Sequence, residues 1–253
     1  QRFAWCGEQL LYSIELFGSR AAKAGLTIGF PTEVEGQGTV IPVDGIAASV
    51  GLAGTVYPIH DTARTYLDPA TGLPEWSDKV LDERGPRRQY TVTYDGGRFN
   101  AAVRRDKDGE VRTYRRLVAS DIHDAFSWFL DLRSRDLTVG SSYEYFVFDG
   151  WKLSRVQAVV ERTTAVYTGI GYVDAAEFAI YREVVTGYPA LPYADERSTL
   201  PPVYLTDEPR RTMGHIWFSL DDRRLPLGME MSTIIGPVRV TLDKVQSAGT
   251  TAR

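Results

Sequence analysis

The chain has 253 residues, 43% of them hydrophobic and 25% charged, the composition of an ordinary globular protein. A net charge of −4 argues against the basic signature of generic nucleic-acid binding. The single cysteine, Cys6, excludes an intramolecular disulfide and a Cys-based zinc cage, and no apolar run approaches the roughly 20 residues of a membrane-spanning helix.

A folded domain of this length buries roughly 70–75% of its extended-chain surface, so a substantial core needs no covalent staples. Abundant Tyr, Phe and Trp, with frequent Gly and Pro, favour strands. A chain that opens at Gln1 without Met and shows no signal peptide is expected to be a mature or trimmed form. Cys6 within "RFAWCG" has bulky Trp5 where lipoprotein attachment calls for a small residue, so it reads as a plain buried thiol.

From the N-terminus, "EQLLYSIELF" alternates Leu10, Tyr12, Ile14 and Leu16 against Leu11, Ser13 and Glu15, which predicts a half-buried strand. "GSRAAKAG" is expected to turn into a partner strand, "LTIGF", and "TVIPVDGIAASVGLAGTVYPI" to be broken by Gly and Pro into short pieces. Residues 67–86 are turn-rich and read as an exposed connection. Hairpins follow at Asp95-Gly96-Gly97, Asp108-Gly109 and Asp149-Gly150, residues that tolerate the positive φ of tight turns.

"AVYTGIGYVDAAEFAIYREV" continues in the same style, five prolines interrupt residues 186–212, and three further strands end in a frayed tail over 247–253. The chain is therefore expected to form a single β domain over residues 1–246 with a Pro-rich excursion at 186–212. About a dozen strands in short-turn succession argue for a barrel, roll or sandwich.

One helix interrupts this pattern, in "ASDIHDAFSWFLDLRSRD". Ile122, Ala125, Phe126, Phe129, Leu130 and Arg133 form an apolar stripe at helical spacing, which predicts a helix over about residues 121–135. Ser120 or Asp121 is expected at the N-cap, with Asp121 and Asp124 at the positive end of the dipole and Arg133 and Arg135 at the negative end. Those roles account for the acids without a metal. His123 and Asp124 point about 100° apart, and the further ligands a zinc site needs, His60 or His215, are not supplied by spacing.

No Gly-x-Ser-x-Gly, phosphate loop or dinucleotide fingerprint is present, so no catalytic residue and no cofactor are expected. Adjacent acids such as Asp221–Asp222 and Asp207–Glu208 read as turn formers, although a carboxylate-dependent enzyme acting on polysaccharide stays open as the alternative. Five tryptophans (Trp5, Trp76, Trp128, Trp151, Trp217) are mostly core material, and Trp128 stands apart because it falls off the helix stripe.

Three blocks in order, "GEQLLYSIELFGSRAAKAG", "DAFSWFLDLRSRDLTVGSSYEYFVFDGWK" and "IWFSLDDRRLPLGMEMSTIIGPVRVTL", resemble bacterial exported proteins of the domain of unknown function 3108 family. The resemblance implies a periplasmic spiral β-roll, a strongly curved antiparallel sheet or partly open barrel wrapped around a central helix, similar in shape to lipoprotein carriers. It transfers no catalytic residues, and it makes Gly7, Glu8, Tyr12, Gly25, Arg133, Gly140, Asp222 and Pro226 turn, bulge or buried-pair positions. The implied role is a non-catalytic, Gram-negative envelope protein, periplasmic or associated with the outer membrane. Its expected partner is a lipid, a polysaccharide or an envelope protein, with a purely structural scaffold as a further alternative. Trp128, Arg133, Trp151 and Trp217 are the expected ligand contacts.

Overall fold

Period-two alternation sets the inner and outer faces of a sheet from the first strand onward. In β1 (Glu8–Leu16) Leu10 is fully buried while Leu11 lies on the opposite, exposed side. The computed structural model describes residues 5–84, 87–95, 100–185, 211–233 and 236–247. The expected Pro-rich excursion at 186–212 lies outside them up to residue 210, its last two residues beginning a strand, and the residues after Ser247 also lie outside.

The N-terminal run comprises β1, β2 (Ser19–Ile28), β3 (Thr32–Val34), β4 (Gly38–Ser49), a short helix α1 (Gly51–Val56), β5 (His60–Leu67), β6 (Pro74–Leu81), β7 (Arg88–Asp95), β8 (Asn100–Lys107) and β9 (Glu110–Leu117). Helix α2 (Ser127–Arg133) leads into β10 (Ser142–Phe148), β11 (Leu153–Thr168), β12 (Gly171–Val184), β13 (Arg211–Ser219), β14 (Pro226–Thr233) and β15 (Gly236–Ser247). The strands form one large open antiparallel sheet in the order β10-β11-β12-β13-β14-β15-β1-β2-β4-β5-β6-β7-β8-β9, with β3 paired to β4 off that path. Two meanders are thus joined where the last strand pairs the first, Tyr12 opposite Leu242 and Ile14 opposite Val240.

Neighbouring strands lie about 4.8 Å apart, so β7 and β10 would be separated by about 50 Å in a flat sheet. They are in contact. Tyr94 Oη donates to the Phe148 carbonyl at 3.2 Å, Tyr114 Oη to Gly150 O at 2.6 Å, and Lys79 Nζ to Asp149 O at 2.7 Å. Tyr90, Val92 and Val103 share an apolar cluster with Phe148 and Leu153. The sheet is therefore strongly bent, and its ends meet through side chains. The tip of the long β11–β12 hairpin also folds back: Gly169 N–H donates to Leu242 O at 2.7 Å, and a Cβ at Gly169 would lie 2.3 Å from Asp243 O.

Several expectations need correction. Among the described residues there are two helices, and α2 is shorter than residues 121–135 because the chain from Ile122 to Asp124 is held extended. His123 N–H donates to Phe146 O at 2.9 Å, and Phe148 N–H donates to His123 O at 2.8 Å. The cap is consequently not Ser120 or Asp121. Asp124 Oδ1 accepts from Ser127 N–H at 2.8 Å, and Ser127 Oγ accepts from Asp124 N–H at 2.9 Å, a reciprocal box at the turn entering α2. Helix α1 has no buried residue and no apolar stripe, so sequence periodicity could not reveal it.

Residues 67–86 contain β6, whose Trp76 stacks on Tyr66 at 4.2 Å. The segment "SRAAKAG" is strand β2, not a turn, and β4 runs unbroken through Pro42 and Gly45.

Arg133 ties α2 to the seam between the meanders. Its side chain is fully buried: Nη1 donates to Glu8 Oε2 at 2.7 Å, Nε to Arg224 O at 2.8 Å and Nη2 to Arg223 O at 2.8 Å. The Trp5 ring covers the guanidinium at 4.2 Å. Burial pulls the Arg133 pKa down and the Glu8 carboxylate opposes that, so the charge survives because each nitrogen is answered. The buried-pair positions implied by the family resemblance are realised in this contact. Arg133→Met is expected to lower the unfolding free energy by about 3–5 kcal/mol, since it strands the Glu8 charge. Urea denaturation should show that loss and its partial recovery in Glu8→Leu/Arg133→Met; an unchanged midpoint in the single variant would remove the pair from the stability argument.

Candidate functional site: an apolar cleft between α2 and the sheet

Small residues on the inner face of three neighbouring strands leave space beneath α2. Ala24 of β2, Gly45 and Ala47 of β4, and Ala63 of β5 line the same cleft, which has a volume of about 420 Å³. Antiparallel register puts Ala24 opposite Ala47 and Gly45 opposite Ala63. Tyr12 and Ile14, with Met229 and Val240, continue the wall across the seam, and Phe126, Trp128 and Phe129 of the α2 segment close it from above. Gly45 is required where it stands: a Cβ there would lie 2.5 Å from the Phe126 ring.

The capped turn holds this roof in place. Thr65 Oγ1 donates to Asp124 Oδ2, linking the turn to β5, while Oδ1 accepts the Phe126 and Ser127 amides. Trp128 packs edge-on against Phe129 at 6.2 Å and against Tyr145 at 6.1 Å, which fixes its ring over the cleft.

Polar character is confined to one end, at Asp61, Thr62 and Lys79. Burial raises the Asp61 pKa above the usual carboxylate value, and its Oδ1 accepts from Asp82 N–H at 2.9 Å. Lys79 is driven below its ordinary pKa, chiefly by burial, and Asp149 opposes that shift. Its Nζ donates to Asp149 O and lies 4.9 Å from the Tyr90 ring centroid.

Of the four expected ligand contacts, Trp128 alone lines the cleft. Arg133 is not a ligand contact, because Glu8, two backbone carbonyls and Trp5 enclose its guanidinium. Trp151 sits at the β10–β11 turn under the Arg105 guanidinium at 4.8 Å, and Trp217 of β13 donates from Nε1 to Glu177 Oε2 at 3.0 Å. The four are not brought together. The small residues of the floor were overlooked in the sequence, where "RAAKAG" and "DGIAAS" do hint at a thinned inner face; aligning them depends on strand register. The Asp/His cluster of the helix entry is used for capping: His123 Nδ1 lies 3.0 Å from Ser127 Oγ, with Tyr145 edge-on to the ring at 5.3 Å.

Fold and cleft together define a mainly β protein, one large open antiparallel sheet carrying an apolar cleft roofed by a short helix segment. The chain belongs to the family described as Protein of unknown function (DUF3108), matched over residues 11–243. No curated protein matches it significantly. Among solved structures it is similar to a beta-barrel-like protein of domain of unknown function DUF1849 from Brucella abortus, with a TM-score of 0.57 at 13% identity, over 97% of this chain and 99% of that one. That likeness concerns the fold alone. A candidate exported protein with a YmcC-like fold from Bacteroides fragilis (TM-score 0.34, 9% identity, 96% of each chain) is too distant to carry an argument. The same holds for a candidate lipoprotein from Parabacteroides distasonis (TM-score 0.33, 7% identity, 95% of each chain). Among the described residues, no helix is long and apolar enough to cross a membrane.

His123 lets the roof be tested by pH. Burial lowers its pKa below 6.5, with Asp131, Asp124 and Asp121 opposing and Arg135 reinforcing the shift. Between the folded value and 6.5 the unfolded chain binds the proton and the folded chain does not, so stability falls as pH drops through that window. The difference in unfolding free energy between wild type and His123→Gln should shrink on acidification below about pH 6.5; a constant difference from pH 7.5 to 5 would show that His123 makes no linked contribution.

Proposed function

We propose that this protein is a non-catalytic carrier or sensor of the bacterial envelope that takes an apolar ligand, one acyl chain of a lipid, into the cleft between α2 and the sheet. The observation that carries this reading is the cleft itself: its volume of about 420 Å³ falls within the roughly 300–1,000 Å³ of small-molecule sites. Its wall is almost wholly apolar, with polar groups gathered at one end. That is the distribution an amphipathic molecule needs, chain inside and head group at the polar end. A carrier requires an apolar cavity beside the helix, and this cleft meets that requirement.

A glycan would meet too few hydrogen-bonding groups there. The alternative of a carboxylate-dependent hydrolase needs two acids about 5–10 Å apart at the reacting bond. Among the residues lining the cleft Asp61 is the one acid, so the carrier reading is preferred. In this reading the bent sheet is a β-roll that closes on α2, and the helix segment is its lid. The location, in the periplasm or at the outer membrane of a Gram-negative cell, rests on the exported character of the family that the sequence resembles.

Native mass spectrometry of protein purified from its own host, with organic extraction of the same sample, is expected to show a bound lipid. Ala47→Phe/Ala63→Phe should abolish that adduct and the fluorescence of N-phenyl-1-naphthylamine added to the delipidated protein, at an unchanged far-ultraviolet spectrum. Host-purified protein that carries no lipid and takes up no probe would overturn the assignment, and a co-purifying sugar or protein would replace it.

A further inference from the structure

We propose that Glu161, Glu177 and His215 form a binding site for a divalent transition-metal ion of the zinc class, independent of the cleft. The three residues come from β11, β12 and β13, adjacent strands whose relative positions are set by the sheet ladder. His215 Nε2 lies 3.7 Å from Glu161 Oε2 and 3.9 Å from Glu177 Oε1, and the three donor atoms all fall within 4.8 Å of one another. Zinc binds imidazole nitrogen and carboxylate oxygen at about 2.0–2.2 Å, so the triangle has to contract by roughly an ångström to hold one ion. Glu161 is exposed and the His215 side chain is 34% accessible, so both have room to make that movement.

A β-bulge builds the site. Val160 pairs with Phe178 and Arg162 with Glu177, which leaves Glu161 as the extra residue on β11. In regular alternation Glu161 and Arg162 would face opposite sides of the sheet. The bulge breaks that alternation, so both reach the face of Glu177. His215 arrives there through register, since it pairs with Ala179, and Trp217, two residues along β13, pairs with Glu177.

Glu177 is the anchor. It is almost fully buried, and its carboxylate is oriented before any ion arrives: Trp217 Nε1 donates to Oε2 at 3.0 Å, and Arg162 donates from Nε to Oε2 at 3.1 Å and from Nη2 to Oε1 at 3.0 Å. Partners of this kind fix the direction of a ligating carboxylate. Oε1 retains a lone pair on the side of His215. Two carboxylates, a neutral imidazole and one arginine sum to a net charge of −1, which draws a dication and disfavours an anion. Nitrogen with carboxylate oxygen suits zinc better than magnesium or calcium, which favour all-oxygen shells. Three protein ligands leave a fourth position to water. The ion would staple the long β11–β12 hairpin to β13.

The test uses the full chain without a polyhistidine tag, treated with a chelator and dialysed into a non-coordinating buffer. Calorimetric titration with zinc chloride is expected to give one site per chain, weakened at least tenfold in Glu161→Gln and in His215→Ala and unchanged in His60→Ala, the other exposed histidine. One equivalent of zinc should raise the melting temperature of wild type and not of the first two variants, and a chelator should reverse the rise. Both variants alter surface positions, and Glu161→Gln keeps the side chain's shape, so it stands as the decisive variant if His215→Ala proves poorly folded. No zinc binding, binding of equal strength in wild type and Glu161→Gln, or binding lost in His60→Ala would overturn the proposal.

Discussion

Everything in this fold hangs on a buried guanidinium. Arg133 stands at the C-terminal end of α2, and its three nitrogens reach Glu8 on β1 and the carbonyls of Arg223 and Arg224 in the β13–β14 turn. Moving such an ion out of water costs several kcal/mol, so the arrangement persists only because every donor is matched and an aromatic face covers the plane. The geometry required is demanding. Arg224 adopts a positive φ of 50°, and its carbonyl accepts from Arg133. One interaction thereby fixes the helix, the first strand and a late turn relative to one another, across 90 to 125 residues of chain.

From that tether the cleft follows. Held at one end by Arg133 and at the other by the Asp124–Ser127 box and its bond to Thr65, the α2 segment cannot settle onto the sheet. The phenyl ring of Phe126 touches down at Gly45, where the absence of a side chain admits it, and Trp128 is propped between Phe129 and Tyr145. Beside these contacts the floor is alanine and glycine, too small to fill the gap. A packed core normally closes such voids, since unfilled lining forfeits dispersion contacts. Small residues and a pinned roof therefore keep an apolar cleft open where a packed core would ordinarily close it.

Much of the architecture was legible in the chain. Alternation in "EQLLYSIELF" placed Leu10 and Tyr12 inside, and the Asp-Gly pairs at 108–109 and 149–150 marked hairpins that form. The stripe through Phe126, Phe129 and Leu130 located helix α2, and Trp128, which falls off that stripe, packs against Phe129 and Tyr145 and lines the cleft. Other signals misled for physical reasons. The turn-forming residues around β6 suggested a loop, yet the stacking of Trp76 on Tyr66 and pairing on both edges override that local preference. Arg133 looked available to a ligand because an arginine near a helix end is usually solvated; its enclosure depends on Trp5 and Glu8, far away in sequence.

By itself the sequence determined the class of structure: period-two strands and turn chemistry call for a mainly β, antiparallel architecture with barrel, roll and sandwich all open, and the soft motifs point to one family. The tertiary structure decided where space and charge lie. Ala24 and Ala47 become opposite neighbours only through strand register, and β7 meets β10 only because the sheet bends. Glu161 joins Glu177 and His215 only because a bulge turns it to their face. Local preference acts over a few residues and is written in the chain; cavities and ion sites are made by atoms brought together from distant segments, and only the packed backbone sets those distances.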